Sequence, residues 1–302
     1  MEATVRNFFM GPFRYVAITV LSIAPLLAHA EKLVVQAPNY PLFYFAERIA
    51  SDSFEIRYRV DPEVDPAFWE PGDKDILAYQ QADIILRNGA KYSKWMHHAS
   101  LPSSRIVDTT REIRDQFIET GGELHSHGDG KVHSHGGIAF TTWLDFNQAA
   151  VQASAVARRF RAMKPSEAEV IDENLKGLLA DLKALDEEAK AVGEKLEGRP
   201  LVASHPVYQY FSRAYGLNIR SLEWEPEMNL TAKEESEMRK LLSDHSAKTM
   251  IWEGEPTKQN VDKLKRLGLA SVVLSPSANR PEEGDFLSAM KANLATLRAK
   301  VD

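Results

Sequence analysis

The sequence has no cysteine among its 302 residues. No disulfide can hold the fold, and no thiolate can act as a nucleophile or as a metal ligand. A zinc site in this chain would have to be built from histidine and carboxylate side chains. The lack of thiolates thus restricts the ligands of a zinc centre in this chain to nitrogen and oxygen atoms.

An excess of basic residues is also missing. Lys and Arg number 37 against 43 Asp and Glu, for a formal net charge of −6, and no basic stripe runs along the chain. Proteins that bind nucleic acid usually carry clustered positive charge for phosphate contacts. The charge balance therefore argues against nucleic acid as a partner.

Common catalytic motifs are absent too. The chain has no Gly-x-Ser-x-Gly turn, no phosphate-binding glycine loop and no His-Glu-x-x-His. Ser204 and His205 are neighbours in a predicted strand, so their side chains point to opposite faces and cannot form a nucleophile and base pair. We expect a binding protein and no enzyme. A screen for hydrolase activity in the purified protein would test the enzymatic alternative.

Long apolar runs are absent after the first 30 residues. The first 30 residues contain Arg6 and Arg14, then an apolar run from Tyr15 to Leu27, and then the small residues Ala28 and Ala30 around His29. This order is typical of a secretory signal peptide, residues 1–30, cleaved after Ala30. The run of about 13 residues is shorter than the ~20 that a membrane span needs, although an uncleaved anchor is the alternative. We expect a periplasmic protein with no membrane span after cleavage.

Apolar stretches alternate with helical patterns in residues 31–146 and again in residues 199–302. Such alternation indicates an α/β layer with a mostly parallel sheet in each segment. Residues 147–198 between them predict connecting helices. The predicted fold is therefore α/β, with two lobes joined by a long spine helix.

The spine helix is predicted over residues 167–197. Its apolar residues recur every three or four positions, at Leu175, Leu178, Leu182, Leu185, Ala189, Val192 and Leu196. One apolar stripe on a charged helix is typical of packing along one side. Ser166 and Glu169 predict a capping box at its start. A coiled-coil partner helix is the alternative interpretation.

A histidine-rich segment, residues 121–137, interrupts the first lobe. It is dominated by Gly, His, Ser and Asp, and it contains His-Ser-His-Gly twice. Imidazole suits zinc, copper and nickel, and the glycines let the backbone fold around an ion. We predict a mobile surface loop that binds metal loosely, because binding must order it. Its candidate ligands are His125, His127, His133 and His135. A solvated polar loop is the alternative.

Several segments carry a family resemblance in order along the chain. They are Asp65-Pro66-Ala67-Phe68-Trp69-Glu70-Pro71, Asn88-Gly89 with Trp95, the histidine-rich loop, Thr141-Thr142-Trp143-Leu144-Asp145, and Ser204-His205-Pro206 with Tyr215-Gly216-Leu217. Together they resemble the metal-type periplasmic solute-binding proteins of ABC importers, which include zinc-uptake binding proteins and manganese-binding lipoproteins. The resemblance implies a metal site in a cleft between two lobes and an inner-membrane permease as a partner.

The chain departs from this family at the implied metal ligands. Ala67 and Thr141 stand where two histidines are implied, and Ser275 stands where a carboxylate is implied, while His205 is kept. Zinc prefers about four ligands in a tight site, so we expect weak binding in the cleft. A relocated carboxylate could compensate, with Glu70, Glu253 and Glu255 as candidates. His205 without a metal, as an oriented polar group, is the alternative.

These observations predict a monomeric protein that binds Zn²⁺, or another divalent metal, and supplies an ABC importer. The predicted metal residues are His125, His127, His133, His135 and His205. The alternative is a member of the same fold that has lost metal transport and binds another solute or a partner protein. Aromatic residues near the old ligand positions would then line a pocket: Phe68, Trp69, Phe140, Trp143 and Tyr208.

Overall fold

A computed structural model describes Met1 and residues 31–120, 124–126, 132–134 and 137–300. The predicted signal peptide, His127, His135 and the side chains of His125 and His133 lie outside the described residues. The chain from Lys32 onward forms one compact unit, and it contains both lobes.

The first lobe is built on a four-stranded parallel sheet. Its strands are β1 (Leu33–Ala37), β2 (Phe54–Tyr58), β3 (Ile84–Arg87) and β4 (Ile106–Asp108), in the order β2-β1-β3-β4. Helix α1 (Tyr40–Ile49) joins β1 to β2, and α2 (Asp73–Gln81) lies before β3. Ile84, Ile85 and Leu86 of β3 are fully buried, as expected for an inner strand of a sheet covered on both faces.

The histidine-rich segment contains paired strands. β5 (Glu119–Thr120) pairs antiparallel with β8 (Gly137–Ile138), and between them β6 (Leu124–Ser126) pairs with β7 (Val132–Ser134). The second pairing places the backbone of His125 opposite that of His133. This pairing was not expected from the sequence, because a composition rich in glycine and histidine gives no sign of a hairpin.

Two helices connect the lobes. They are α3 (Phe146–Met163) and the 29-residue spine helix α4 (Ala168–Leu196). The predicted stripe is confirmed, since its members from Leu178 to Leu196 are at most 2% exposed, and Leu175 is partly buried. The stripe packs on α3, α1 and other elements of the same chain. The spine therefore needs no partner helix to cover its apolar face.

The predicted capping box at the start of the spine helix is wrong. A short 3-10 turn, Pro165–Glu167, precedes α4, and the helix has no side-chain cap. The Glu167 carboxylate instead accepts hydrogen bonds from the hydroxyls of Ser51 and Ser53. A tertiary contact with the first lobe has replaced the local motif.

The second lobe repeats the topology of the first. Its parallel strands are β9 (Pro200–Ala203), β10 (Asn218–Ser221), β11 (Thr249–Trp252) and β12 (Ala270–Val273), in the order β10-β9-β11-β12. Its helices are α5 (Gln209–Tyr215), α6 (Ala232–Asp244), α7 (Lys258–Arg266) and α8 (Phe286–Arg298). The predicted α/β fold of two mostly parallel sheets joined by a long helix is confirmed. Within the described residues, no helix has the length and apolar character needed to cross a membrane.

Residues 277–280, which we call the latch, fasten the second lobe to the first. The Ala278 carbonyl accepts a hydrogen bond from the backbone N–H of Tyr40 at 2.9 Å. Asn279 donates to the carbonyls of Asp61, Pro62 and Val64 and accepts from the Tyr58 hydroxyl at 2.7 Å. The Arg280 guanidinium lies 4.4 Å from the ring centre of Phe43. These contacts join the two lobes beside the cleft.

Candidate metal site in the cleft

A cavity of about 370 Å³ lies where the two lobes meet. The first lobe lines it with residues that follow β2 and β3 and with Thr141, while the second lobe contributes residues that follow β9 and β10. In parallel α/β sheets, ligands bind beyond the carboxyl ends of the strands. The cavity is therefore where this fold places a ligand.

Three adjacent strands of the second lobe deliver side chains to one point beside this cavity. His205 follows the inner strand β9, Glu225 follows β10 and Glu253 directly follows β11. His205 is only 4% exposed, and its Nδ1 lies 2.8 Å from Oε1 of Glu253. Its Nε2 lies 3.6 Å from Oε1 of Glu225. These three residues can offer ligand atoms within 4.8 Å of one another.

The two ring nitrogens of His205 have different roles in this geometry. The Glu253 carboxylate beside Nδ1 favours the tautomer that carries its proton on this nitrogen. Metal-binding histidines usually donate their second ring N–H to a carboxylate in this way, which orients the ring. Nε2 then faces Glu225 across 3.6 Å. Two ligands of one tetrahedral zinc ion lie about 3.3–3.5 Å apart, so these two atoms are close to a zinc-binding separation.

Carboxylates dominate the electrostatics of the site. Burial disfavours the charged form of His205, but its hydrogen bond to Glu253 and the negative charges of Glu253, Glu223 and Asp65 outweigh burial and raise its pKa. Desolvation in the cleft, together with the charge of Glu253, raises the pKa of Asp65 to about 6. Asp65 keeps contact with water, so screening by solvent limits this effect. The surplus of negative charge favours a cation.

The other three implied ligand positions provide no charged donor. Ala67 is buried and lines the cavity. The hydroxyl of Thr141 donates to the carbonyl of Val207 at 2.5 Å. The hydroxyl of Ser275 accepts from the backbone N–H of Ser277 at 3.1 Å. The Thr141 hydroxyl therefore joins the two lobes, whereas the Ser275 hydroxyl supports its own turn.

The proposed carboxylate substitutes fare differently. Glu253 joins His205, whereas Glu70 and Glu255 do not belong to the cluster that the described residues form. Glu225 was missed because residues 218–247 carry no clear strand or helix pattern. The rule that parallel strands present their carboxyl ends on one edge could have found it once β10 was recognised.

The aromatic residues divide between the cavity and the core. Phe68 and Phe140 line the cavity. Trp143 and Tyr208 are buried instead and hydrogen-bond the carbonyls of Pro276 and Leu274, at 2.8 and 2.6 Å. Trp69 packs against other rings of the first lobe. The expected aromatic pocket is thus present only in part.

The histidine-rich loop begins and ends at the wall of the same cavity. Thr120 of β5 and Ile138 of β8 both line it. The four predicted loop ligands lie outside the residues whose side chains the structure describes. The paired strands β5 and β8 nevertheless attach the loop that carries them to the cavity wall.

Comparisons with known proteins agree with this architecture. The family model described as "Zinc-uptake complex component A periplasmic" matches residues 35–300. The high-affinity zinc uptake system protein ZnuA of Bacillus subtilis is 23% identical over 279 residues, covering 89% of this chain and 87% of the relative. The manganese ABC transporter substrate-binding lipoprotein PsaA of Streptococcus pneumoniae is 26% identical over 283 residues, covering 88% and 87%.

A solved structure shows the same fold. The metal-dependent lipoprotein YcdH of Bacillus subtilis aligns with a TM-score of 0.76 at 22% identity. The alignment covers 89% of this chain and 98% of that one. Both lobes and the spine helix therefore belong to an architecture that is known from experiment.

Proposed function

Because this chain belongs to the family of periplasmic zinc-uptake complex components, we propose that it binds a divalent metal, zinc first, in the periplasm and supplies it to an ABC importer. The observation that carries the proposal is the cluster of His205, Glu225 and Glu253 at the ends of three adjacent strands. It lies in the family's cleft but uses carboxylates of the second lobe in place of the lost ligands.

The donor set supports zinc over softer metals. It offers the imidazole of His205 and the carboxylate of Glu225, with a second carboxylate, Glu253, behind the imidazole, and no sulfur. Such ligands suit zinc and, with more oxygen donors, manganese. The Glu253 carboxylate, 2.8 Å from Nδ1 of His205, occupies the outer position that zinc-binding histidines favour for a carboxylate. Manganese, which the name of PsaA carries, is the competing cargo.

We assign a capturing role to the histidine-rich loop. Its four histidines would bind ions loosely at the rim, since β5 and β8 attach the loop to the cavity wall. Ions released there have a short path to the carboxylate-rich cluster. The loop would then raise the local concentration of metal without forming the final site.

Zinc titration by calorimetry tests the proposal, with the intact chain beside a variant lacking residues 121–136. We expect the intact protein to show one tight site and additional weaker binding, and the variant to keep the tight site alone. Loss of all zinc binding in the variant, with an unchanged melting profile, would contradict a cleft site.

One observation favours a second candidate function. Three implied ligands are missing, at Ala67, Thr141 and Ser275. Their absence fits a metal-site-deficient member of the family that binds another solute or a partner protein. The same titration separates the two candidates, because a metal-site-deficient member would bind no zinc after removal of the loop.

A further inference from the structure

The cavity beside the metal cluster is much larger than an ion requires. Its volume of about 370 Å³ falls within the range of roughly 300–1,000 Å³ that is typical of small-molecule pockets. Pro206 and Glu223 place it next to His205 and Glu225 in sequence and in space. Room for an organic molecule thus adjoins the place where a metal would bind.

The wall of the cavity is suited to an anion. Lys91 and Lys94 line it from the first lobe. Among residues 31–120 and 137–300, neither ammonium group has a carboxylate within ion-pair distance. Glu223 lines the opposite side, from the second lobe. The two exposed lysines thus place positive charge on the first-lobe wall of the cavity, and Glu223 places negative charge on the second-lobe wall.

Neutral groups in the wall suit an organic ligand. The rings of Phe68, Tyr92 and Phe140 form part of it. The side-chain oxygen of Gln209, another lining residue, is buried and has no hydrogen-bond partner in the described part of the chain. A buried acceptor without a partner is unfavourable, so a ligand that carries a hydroxyl or amino donor would satisfy it.

The backbone around the two lysines adopts an unfavourable conformation. Ala90, Lys91 and Ser93 have positive φ angles of 47°, 59° and 50°. Residues with a Cβ atom rarely occupy this region, and such conformations cluster at ligand-binding sites, where surrounding structure enforces them. The turn after β3 thus holds Lys91 at the cavity despite the strain.

The metal cluster is also short of ligands. Nε2 of His205 and the Glu225 carboxylate face one another, while Glu253 is engaged by Nδ1 of the imidazole. Zinc takes about four ligands, and Ala67, Thr141 and Ser275 do not complete the set. Donor atoms from a molecule in the adjoining cavity would do so.

We propose that the cavity binds a small hydroxycarboxylate or aminocarboxylate chelator, and that the protein takes up its metal as the complex with this anion. The carboxylates would meet Lys91 and Lys94, the hydroxyl or amine would donate to Gln209, and the chelator would complete the coordination begun by His205 and Glu225. This inference rests on the proposed function and names the form in which the cargo arrives.

Equilibrium dialysis with radiolabelled citrate, and separately with radiolabelled L-histidine, tests the inference on the intact protein. We expect at least one of the two to be retained in a zinc-dependent manner, in a ratio of one per tight zinc site. The double variant Lys91→Gln and Lys94→Gln should retain that chelator at least tenfold more weakly. A matched control, Lys74→Gln with Lys291→Gln, removes two exposed lysines outside the cavity and should behave as the unmodified protein.

The outcomes separate the two proposals. If zinc alone binds but neither chelator is retained with it, the inference is wrong and the proposed function stands. Equal retention by the double variant and the unmodified protein would also overturn the inference. If neither zinc nor a zinc–chelator complex binds, the proposed function fails as well.

Discussion

The two walls of the cleft carry different chemistry. The wall from the second lobe presents His205, Glu225 and Glu253, whereas the wall from the first lobe presents Ala67 and Thr141 where ligands are implied. A metal held by both walls would tie the lobes together. In this chain the proposed protein ligands come from one lobe, so the proposal separates metal binding from joining the lobes.

The second task falls to the latch and the spine. Asn279 and Arg280 contact the first lobe directly. Helix α4 packs against α3 and α1 and also against α5 and α8 of the second lobe. We therefore expect changes at the second-lobe wall to alter metal affinity with little effect on folding. Changes at the latch should lower stability with little effect on metal affinity.

The largest effect is expected from His205→Ala. It removes the single imidazole of the cluster, and we expect zinc affinity at the tight site to fall at least about 100-fold, beyond the 10- to 100-fold typical of outer-shell changes. Calorimetry on protein without the histidine-rich loop measures this site alone. His97→Ala, at an exposed position, is the matched control. Tight binding that survives in the His205 variant would refute the cluster.

Glu253 should have the next largest effect. In Glu253→Ala the imidazole loses the carboxylate that lies beside Nδ1 and orients the ring, so zinc affinity should fall about 10- to 100-fold. Glu253→Gln keeps a side-chain oxygen for Nδ1 but loses the charge, so zinc affinity should fall less in this variant than in Glu253→Ala. Equal losses in the two variants would instead indicate that the carboxylate binds the ion directly.

The pH dependence follows from the raised pKa of His205. Zinc requires the neutral imidazole, so affinity should decline about tenfold per pH unit below that pKa. Without metal the sign is opposite. The raised pKa adds to the free energy of unfolding below about pH 6.5, and this contribution is lost as pH rises through the folded pKa.

Thermal melts with and without zinc across pH 5 to 8 check this behaviour. The shift in melting temperature caused by zinc should grow with pH, and in Glu253→Gln its onset should move to lower pH because the charge that raises the pKa of His205 is gone. A zinc-induced shift that is constant over this range would contradict a role for His205.

Sequence patterns predicted most of the fold because its inner elements are plainly apolar. The stripe from Leu178 to Leu196 and the buried strand Ile84–Arg87 are examples. β10 and α6 were missed since they lie at the periphery. β10 is an edge strand whose single apolar residue, Ile219, is only partly buried. Helix α6 fully buries only Met238.

The site was less predictable than the fold. Family resemblance identified His205, but Glu225 joins it only because β10 and β11 flank β9 in the sheet. Strand order is a tertiary property that periodicity along the chain does not carry. The failed capping box at Ser166 has a similar cause, because Glu167 reaches the distant Ser51 and Ser53.

The smallest effect on zinc is expected from Asn279→Ala, which sharpens the comparison from the other side. Asn279 satisfies the carbonyls of Asp61, Pro62 and Val64, so its loss should lower the free energy of unfolding by about 1–3 kcal/mol. Zinc affinity should change less than about twofold, a difference near 0.4 kcal/mol. Chemical denaturation and calorimetry measure the two quantities, with Asn218→Ala, which loses a single hydrogen bond to Gly198, as the control. If zinc affinity falls along with stability, the ion is bridging the lobes after all, and the first-lobe wall supplies a ligand that the second-lobe cluster does not contain.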